Sequence, residues 1–193
     1  MNSRKIQFII TLIILTLASC QTENPLPILG SKPITDFRFL NQDSLVITNK
    51  TFDDKIYIAN FFFTSCTTIC PAMNRVMKDI FDDYQDNPKV MLLSHSIDFK
   101  YDTPGRLKKY AEKIGATGNK WQFAHGSKSD IYSIAEQSYM TAVVEDVKVK
   151  ENFVHQGYLL LVDQHQRLRG AYDSDSEEQI KQLKLDIEKL LEE

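Results

Sequence analysis

The chain of 193 residues has few cysteines, glycines and prolines and only a small net charge. Its three cysteines are too few for a small fold held together by disulfides. Seven glycines and six prolines exclude collagen-like and low-complexity sequences. The net charge of −3 lacks the basic excess of nucleic-acid-binding proteins, so no nucleic-acid partner is expected. The length suits one domain with a hydrophobic core and is short for two.

The N-terminal segment has the features of a secretory signal. Two positive charges, Arg4 and Lys5, precede an apolar run over 6–17, which is shorter than the about 20 residues of a membrane span. Small residues then lead to Cys20, and this junction resembles the lipobox of bacterial lipoproteins. We predict a signal peptide over 1–19, lipidation of Cys20, and an extracytoplasmic domain anchored to a bacterial membrane. The alternative is an ordinary signal peptide or uncleaved anchor with an incidental cysteine.

The rest of the chain predicts a tether followed by one α/β domain. Residues 20–33 contain three prolines and no helical period, which is typical of a tether, and residues 34–193 form the domain. Predicted strands cover 37–40, 44–48, 55–63, 90–96, 153–162 and 168–172, and predicted helices cover 68–85, 103–114, 129–139 and 175–191. This order predicts a thioredoxin-like α/β fold with extra N-terminal strands and an inserted hairpin.

Cys66 and Cys70 follow a predicted buried strand and lie at the entrance of a predicted helix. Their spacing puts both sulfurs on one side of a helical turn, within reach of a disulfide. The positive end of the helix dipole favours the thiolate forms. The pair therefore predicts either a redox-active disulfide or two thiolate ligands for one metal ion. A purely structural disulfide is the third interpretation, although its small loop gives little entropic stabilisation.

A metal site needs a further ligand, and the chain has four histidines. Two thiolates with one imidazole suit copper or zinc, but structural zinc usually has four protein ligands. His95 lies in a predicted buried strand, His125 in a loop and His165 in a polar turn. His155 leads into a predicted buried strand that neighbours the cysteine turn in thioredoxin-like folds. His155 is therefore the candidate ligand, with a structural histidine as the alternative.

Several segments, in the same order along the chain, resemble the SCO/SenC family of copper chaperones. The matching segments are 61–71, with an aromatic strand and Cys-x-x-x-Cys-Pro; 96–104, with two aspartates before Thr-Pro; Trp121, Phe123 and Gly126; and 154–163, which contains the histidine. The resemblance implies that Cys66, Cys70 and His155 bind copper, as Cu(I) or Cu(II). It also implies delivery of that copper for assembly of the binuclear copper site of cytochrome c oxidase subunit II, or to another extracytoplasmic copper protein.

An enzymatic alternative uses the same cysteine pair. A membrane-tethered thiol–disulfide oxidoreductase would use Cys66 and Cys70 in exchange with a partner disulfide, and it would not depend on His155. The metal-delivery hypothesis predicts that replacing His155 impairs copper loading, because the imidazole is then a ligand.

Two positions depart from the family pattern. Val154 stands where the family often has an aspartate before the ligand histidine, so another group has to orient His155. Phe99 replaces a proline in the aspartate-bearing segment. Asp98 and Asp102 in that segment are candidates for supporting the ligands from behind, and their alternative roles are in a turn and a helix cap.

Overall fold

A five-stranded sheet forms the centre of the fold in the computed structural model, which describes residues 25–145, 153–155 and 157–193. For residues 144–145 and 153–155, the description covers the backbone alone. The elements are β1 (Arg38–Leu40), β2 (Val46–Thr48), a 3-10 helix (Asn49–Phe52), β3 (Ile56–Phe62), α1 (Cys70–Asp83), β4 (Val90–Ser96), α2 (Pro104–Lys113), β5 (Trp121–Ala124), α3 (Lys128–Gln137), β6 (Val143–Glu145), β7 (Phe153–His155), β8 (Tyr158–Val162), β9 (Leu168–Asp173) and α4 (Glu177–Glu192).

The strand order of the central sheet is β5-β4-β3-β8-β9. The first three strands are parallel, and β8 and β9 are antiparallel to their neighbours. Two small antiparallel pairs, β1–β2 and β6–β7, form separate two-stranded sheets. The thioredoxin-like prediction is confirmed, including the extra N-terminal strands. The predicted pair of strands 153–162 and 168–172 corresponds to the β8–β9 hairpin of the central sheet, whereas the β6–β7 pair was not predicted.

The apolar pattern of the central elements explains why the sheet is covered on both faces. Every residue of β3 is buried, as expected for a central strand with neighbours on both sides and layers above and below. The helices contribute one apolar face each: Met73, Met77 and Ile80 from α1, and Leu183, Ile187 and Leu190 from α4. Asn60, in the middle of β3, is a polar exception in an otherwise apolar strand.

Two predicted elements differ from the structure in ways that affect the candidate site. The helix predicted over 68–85 starts at Cys70, so Cys66 lies in the loop before it. Pro71 occupies the first turn, where a missing N–H group has no helical partner to lose. The strand predicted over 153–162 is divided at Gly157 into β7, which pairs with β6, and β8, which joins the central sheet. His155 therefore belongs to the small hairpin and not to a strand of the sheet.

The segment before β1 is packed on the domain. The backbone N–H of Leu29 donates to the Leu168 carbonyl at 2.7 Å, and the Arg169 guanidinium donates to the Leu26 carbonyl at 2.7 Å. Leu26 and Leu29 are partly buried against the core. From Leu26 onward, the segment predicted as a tether is thus attached to the sheet.

The signal peptide and Cys20 lie outside the described residues. Among the residues that the structure describes, no helix combines the length and the apolar character needed to cross a membrane.

Candidate metal and redox site

The cysteine loop connects the end of β3 to the first turn of α1. The Cys66 N–H donates to the Phe63 carbonyl at 3.2 Å, which closes a turn directly after the strand. The Cys70 N–H, at the first position of α1, donates to Cys66 Sγ at 3.4 Å. Because this bond and the helix dipole both favour negative charge on the acceptor, Cys66 is the sulfur best placed to carry a thiolate.

The two cysteines differ in exposure. Both carry thiols, with 9% of Cys66 and 1% of Cys70 exposed. The hydroxyl oxygen of Thr68 lies 3.8 Å from Cys66 Sγ, and Ser65 and Thr67 are exposed beside it. Cys66 thus lies at a polar rim and Cys70 below it, so that an incoming group reaches Cys66 first.

Asp102 anchors the start of the cysteine loop. Its side chain is fully buried, and its carboxylate accepts hydrogen bonds from the Thr64 N–H at 2.9 Å and the Thr64 hydroxyl at 2.5 Å. It also accepts one from the Ser96 hydroxyl at 2.7 Å. Arg106 Nε donates to Thr64 Oγ1 at 2.7 Å from the solvent side. These bonds join the loop after β4 to the residue that leads from β3 towards Cys66.

Asp98 shapes the turn that presents Asp102. Its carbonyl accepts the Asp102 N–H at 2.9 Å, and its carboxylate accepts the Tyr101 N–H at 3.3 Å. Burial raises the pKa of Asp98 above its usual value. None of these bonds reaches the cysteines directly, so Asp98 acts on the turn and Asp102 acts on the cysteine loop.

The His155 hairpin meets the cysteine loop through Gly157. The backbone of His155 pairs with that of Val143, while the side chain of His155 lies outside the described residues. A Cβ atom at Gly157 would overlap Ile69, whose Cγ1 would be 3.0 Å away, and would lie 3.1 Å from Ser174 Oγ. Since Ile69 directly precedes Cys70, the chain two residues after His155 lies against the cysteine loop. A larger residue at this position would force the Ile69 side chain to move.

The other histidines have separate surroundings. His95 is fully buried and stacks on Phe61 with ring centroids 5.0 Å apart, and burial lowers the pKa of His95 to about 3. Its Nε2 lies 3.4 Å from the Tyr139 hydroxyl. His125 pairs through its backbone with a residue of β1, and His165 is exposed in the turn between β8 and β9. The interpretation of His95 as a core imidazole agrees with this packing.

Within the side chains that the structure describes, no group of three or more His, Cys, Asp or Glu residues is gathered as a metal site. The described part of the candidate site is the cysteine pair and its supports. The third predicted ligand, the His155 side chain, lies outside the described residues.

A chain of polar side chains that includes a residue one helical turn after Cys70 was missed at the level of sequence. Asn74 follows Cys70 by one helical turn, and its Nδ2 donates to the Tyr110 hydroxyl oxygen at 2.6 Å. The Asn74 Oδ1 accepts from Asn60 Nδ2 at 3.4 Å. The available signal was an asparagine inside the apolar run of β3 and another on the buried face of α1.

Comparison with known proteins agrees with this architecture. A family model described as SCO1/SenC matches residues 29–192. The SCO1 protein homolog of Bacillus subtilis (strain 168) is 32% identical over 156 residues, which cover 78% of this chain and 78% of that protein.

Solved structures are similar along most of their length. A SCO1/SenC family lipoprotein from Bacillus anthracis is 25% identical, with a TM-score of 0.75 over 82% of this chain and 95% of that chain. BsSco, a member of the Sco family of cytochrome c oxidase assembly proteins in which a disulfide switch has been identified, is 26% identical, with a TM-score of 0.75 over 86% and 98%.

A copper-bound structure has the same fold. ScoI of Bradyrhizobium japonicum, solved with copper bound, is 18% identical, with a TM-score of 0.68 over 82% of this chain and 99% of that chain. The family model, the curated relative and the thioredoxin-like architecture with its cysteine loop agree: the chain belongs to the SCO1/SenC family.

Proposed function

We propose that this protein binds one copper ion through Cys66, Cys70 and His155 and delivers it for assembly of the binuclear copper site of cytochrome c oxidase. The observation that carries the proposal is the contact between Gly157 and Ile69, which brings the chain two residues after His155 against the loop of the two thiols. Two thiols and one imidazole form a donor set suited to copper.

The chemistry of the loop suits the transfer of a metal ion. Two thiolates suit Cu(I), and an added imidazole also suits Cu(II). Because Cys66 lies closer to the surface than Cys70, an acceptor protein can exchange its ligands for Cys66 first. The copper-bound ScoI and the membership of BsSco in a family of cytochrome c oxidase assembly proteins support copper as the cargo and cytochrome c oxidase as the recipient.

Loading depends on protons and on the redox state of the cysteines. Thiolate and imidazole ligands must lose their protons to coordinate, so copper affinity falls as the pH falls. Oxidation of Cys66 and Cys70 to a disulfide consumes both thiolates and prevents loading. The disulfide switch identified in BsSco supports this form of control.

We also propose that the domain is held at the outer face of a bacterial membrane by a lipid on Cys20. The lipobox-like junction and the Bacillus anthracis lipoprotein of the same family support this anchor. Metabolic labelling of the full chain with a radioactive fatty acid tests it, with Cys20→Ser as the variant expected to lose the label.

Anaerobic titration of the reduced protein, starting after Cys20, with Cu(I) tests the metal site. We expect one-to-one binding that is abolished in Cys66→Ser and Cys70→Ser and weakened in His155→Ala. The matched control is His165→Ala, because His165 is exposed at the opposite end of the sheet. Absence of tight binding in the unaltered protein would contradict the proposal.

A second candidate function is thiol–disulfide exchange, which the unequal exposure of the cysteines favours. The Cys66 thiolate would attack a partner disulfide, forming a mixed disulfide and releasing one partner thiolate. Cys70 would then attack Cys66, so that two electrons pass to the partner and a Cys66–Cys70 disulfide remains. This function predicts that Cys70→Ser traps the mixed disulfide and that His155→Ala retains activity.

A further inference from the structure

The chain enters the domain at the end of the central sheet that is opposite to the cysteines. Strand β8 runs antiparallel to β3, with Tyr57 opposite Val162, so Asp163 lies at the end where β3 begins. The Arg169 guanidinium donates to the Asp163 carboxylate at 2.8 Å and to the Leu26 carbonyl at 2.7 Å. Leu26 is therefore held near the beginning of β3, whereas the cysteine loop follows the last residue of that strand.

Backbone hydrogen bonds fix this point of entry over several residues. The Leu29 N–H donates to the Leu168 carbonyl at 2.7 Å, and the Leu29 side chain is partly buried against the core. The Ile34 N–H donates to the Gln166 carbonyl at 2.7 Å, in the turn between β8 and β9. The entering segment thus cannot move towards the cysteines without losing these bonds and this packing.

A lipid on Cys20 would limit how far the domain can turn above a bilayer. Leu26 is the sixth residue after Cys20, and a chain of that length spans at most about 22 Å when fully extended. Strand β3, Ile56–Phe62, spans about 23 Å from end to end, and the cysteine loop extends beyond it. The chain before Leu26 is therefore too short for the cysteine loop to rest on the bilayer while Cys20 stays at the lipid surface.

We propose that the end of the domain with Asp163 faces the bilayer and that the cysteine loop is held away from the lipid headgroups. The inference rests on the proposed lipid anchor at Cys20. It restricts the kind of partner, because a copper ligand or a disulfide at the lipid surface cannot meet Cys66. The partner's reacting group must stand in a domain that projects from the membrane. Oxidants dissolved in the lipid are kept from the thiols for the same reason.

Quenching of a fluorophore by phospholipids that carry a nitroxide on the headgroup tests the orientation. The lipidated protein is purified from membranes and placed in vesicles of phosphatidylglycerol and phosphatidylethanolamine, with Cys66→Ser and Cys70→Ser so that one thiol remains for the label. The label is attached through His165→Cys, in the exposed turn at the Asp163 end, or through Ser65→Cys, which is exposed in the cysteine loop. We expect several-fold stronger quenching at position 165 than at position 65. Equal quenching, or stronger quenching at position 65, would overturn the proposal.

Lengthening the chain before the domain tests whether its length sets the orientation. An insertion of about twelve glycine and serine residues before Pro25 adds about 40 Å of reach, so quenching at position 65 should rise towards that at position 165. The matched control is the same insertion at Gly118, which lies in an exposed loop before β5 and should leave the difference as it was. A difference that persists after the insertion before Pro25 would overturn the proposal.

Flotation of the vesicles distinguishes this inference from the proposed function. A protein that floats with the vesicles but is quenched equally at both positions overturns the orientation and leaves the lipid anchor supported. A protein that does not float carries no lipid, which contradicts the proposed anchor and overturns the orientation with it. Were the serine variants unfolded by circular dichroism, the same labels would be compared with Cys66 and Cys70 joined in a disulfide, and the same outcomes would apply.

Discussion

Two fully buried aspartates lie at opposite ends of the central sheet and have different partners. Asp163 follows β8 and accepts from Arg167 Nε and Arg169 Nη1, both at 2.8 Å. Asp102 follows β4 and accepts from one backbone amide and two hydroxyls, while the nearest cation, Arg106 Nε, is 3.4 Å away on a half-exposed side chain. The charge of Asp163 is neutralised by two arginines. The carboxylate of Asp102 instead holds the loop of Thr64 through hydrogen bonds.

The end with Asp163 joins the two ends of the described chain. Arg169 also donates to the Leu26 carbonyl at 2.7 Å and to the Glu193 carboxylate at 2.9 Å. Burial alone would raise the pKa of Asp163, but the bonds from Arg167 and Arg169 outweigh it and hold this pKa below the usual value. This network serves the stability of the fold.

The end with Asp102 holds the proposed copper site. The two thiols and the loop of Thr64 lie there. Stability and chemistry are therefore assigned to different ends of one sheet, and substitutions at each end should have separable effects.

The largest expected effect is on stability, from Asp163→Asn. The substitution leaves the buried Arg169 without its full partner, and we expect the free energy of unfolding to fall by about 3–5 kcal/mol. Urea denaturation measures it, with Asp43→Asn as control, because the Asp43–Lys108 pair is exposed and worth below about 1 kcal/mol. One-to-one copper binding should persist in the folded fraction, and its loss would contradict the division between the two ends.

The converse substitution is Asp102→Asn. An amide cannot accept every bond that the carboxylate accepts from Thr64 and Ser96, so we expect a loss of up to about 3 kcal/mol. Copper affinity should fall about 10- to 100-fold, as is common when a support of the ligands is lost. Paired titration and denaturation measure both quantities. A large loss of stability with unchanged copper affinity would show that Asp102 has the same role as Asp163.

Acid should destabilise the protein through His95 before it reaches the carboxylates. The folded pKa of about 3 lies below the unfolded value near 6.5, so the unfolded state binds more protons as the pH falls from 6.5 towards 3. Between pH 7 and pH 5 this group should remove about 2 kcal/mol of stability, whereas Asp163 contributes to acid lability only near pH 4 and below. In His95→Leu, the difference between urea midpoints at pH 7 and pH 5 should be smaller. If the difference in His95→Leu equalled that of the unaltered protein, the assignment of this acid sensitivity to His95 would be contradicted.

The smallest expected effect on stability comes from Gly157→Ala. The added methyl group overlaps Ile69, and relief by a small shift of the loop should destabilise the protein by about 1 kcal/mol. Because the shift separates the cysteine loop from the hairpin, copper affinity should fall more than stability does. Gly105→Ala is the control, since a Cβ there meets no atom within 4 Å. Equal copper affinity in Gly157→Ala and Gly105→Ala would show that Gly157 does not affect the metal site.

Strong apolar periodicity made much of the fold predictable from the sequence. Strand β4 was predicted with its observed bounds, because Val90 to Ser96 is a continuous buried run. The short strands β5 and β6 were missed, since four and three residues carry little periodicity. The division at Gly157 was also missed, because the apolar pattern continues across it and the contact that requires a glycine comes from Ile69, far away in sequence.

The candidate site was predictable as far as its motifs extend. Cys66 and Cys70 were predicted from their spacing before a helix. Asp102 was predicted from the resemblance of segment 96–104 to the family. The hydrogen bond between Asn74 and Tyr110 is a contact between two helices, which no local sequence pattern indicates.

X-ray absorption spectroscopy of the copper-loaded protein tests the central claim most directly. We predict a copper ion with two sulfur neighbours and one imidazole nitrogen, with the imidazole signal lost in His155→Ala and kept in His165→Ala. An imidazole signal that survives in His155→Ala, or a copper ion with fewer than two sulfur neighbours, would contradict the proposed site of Cys66, Cys70 and His155.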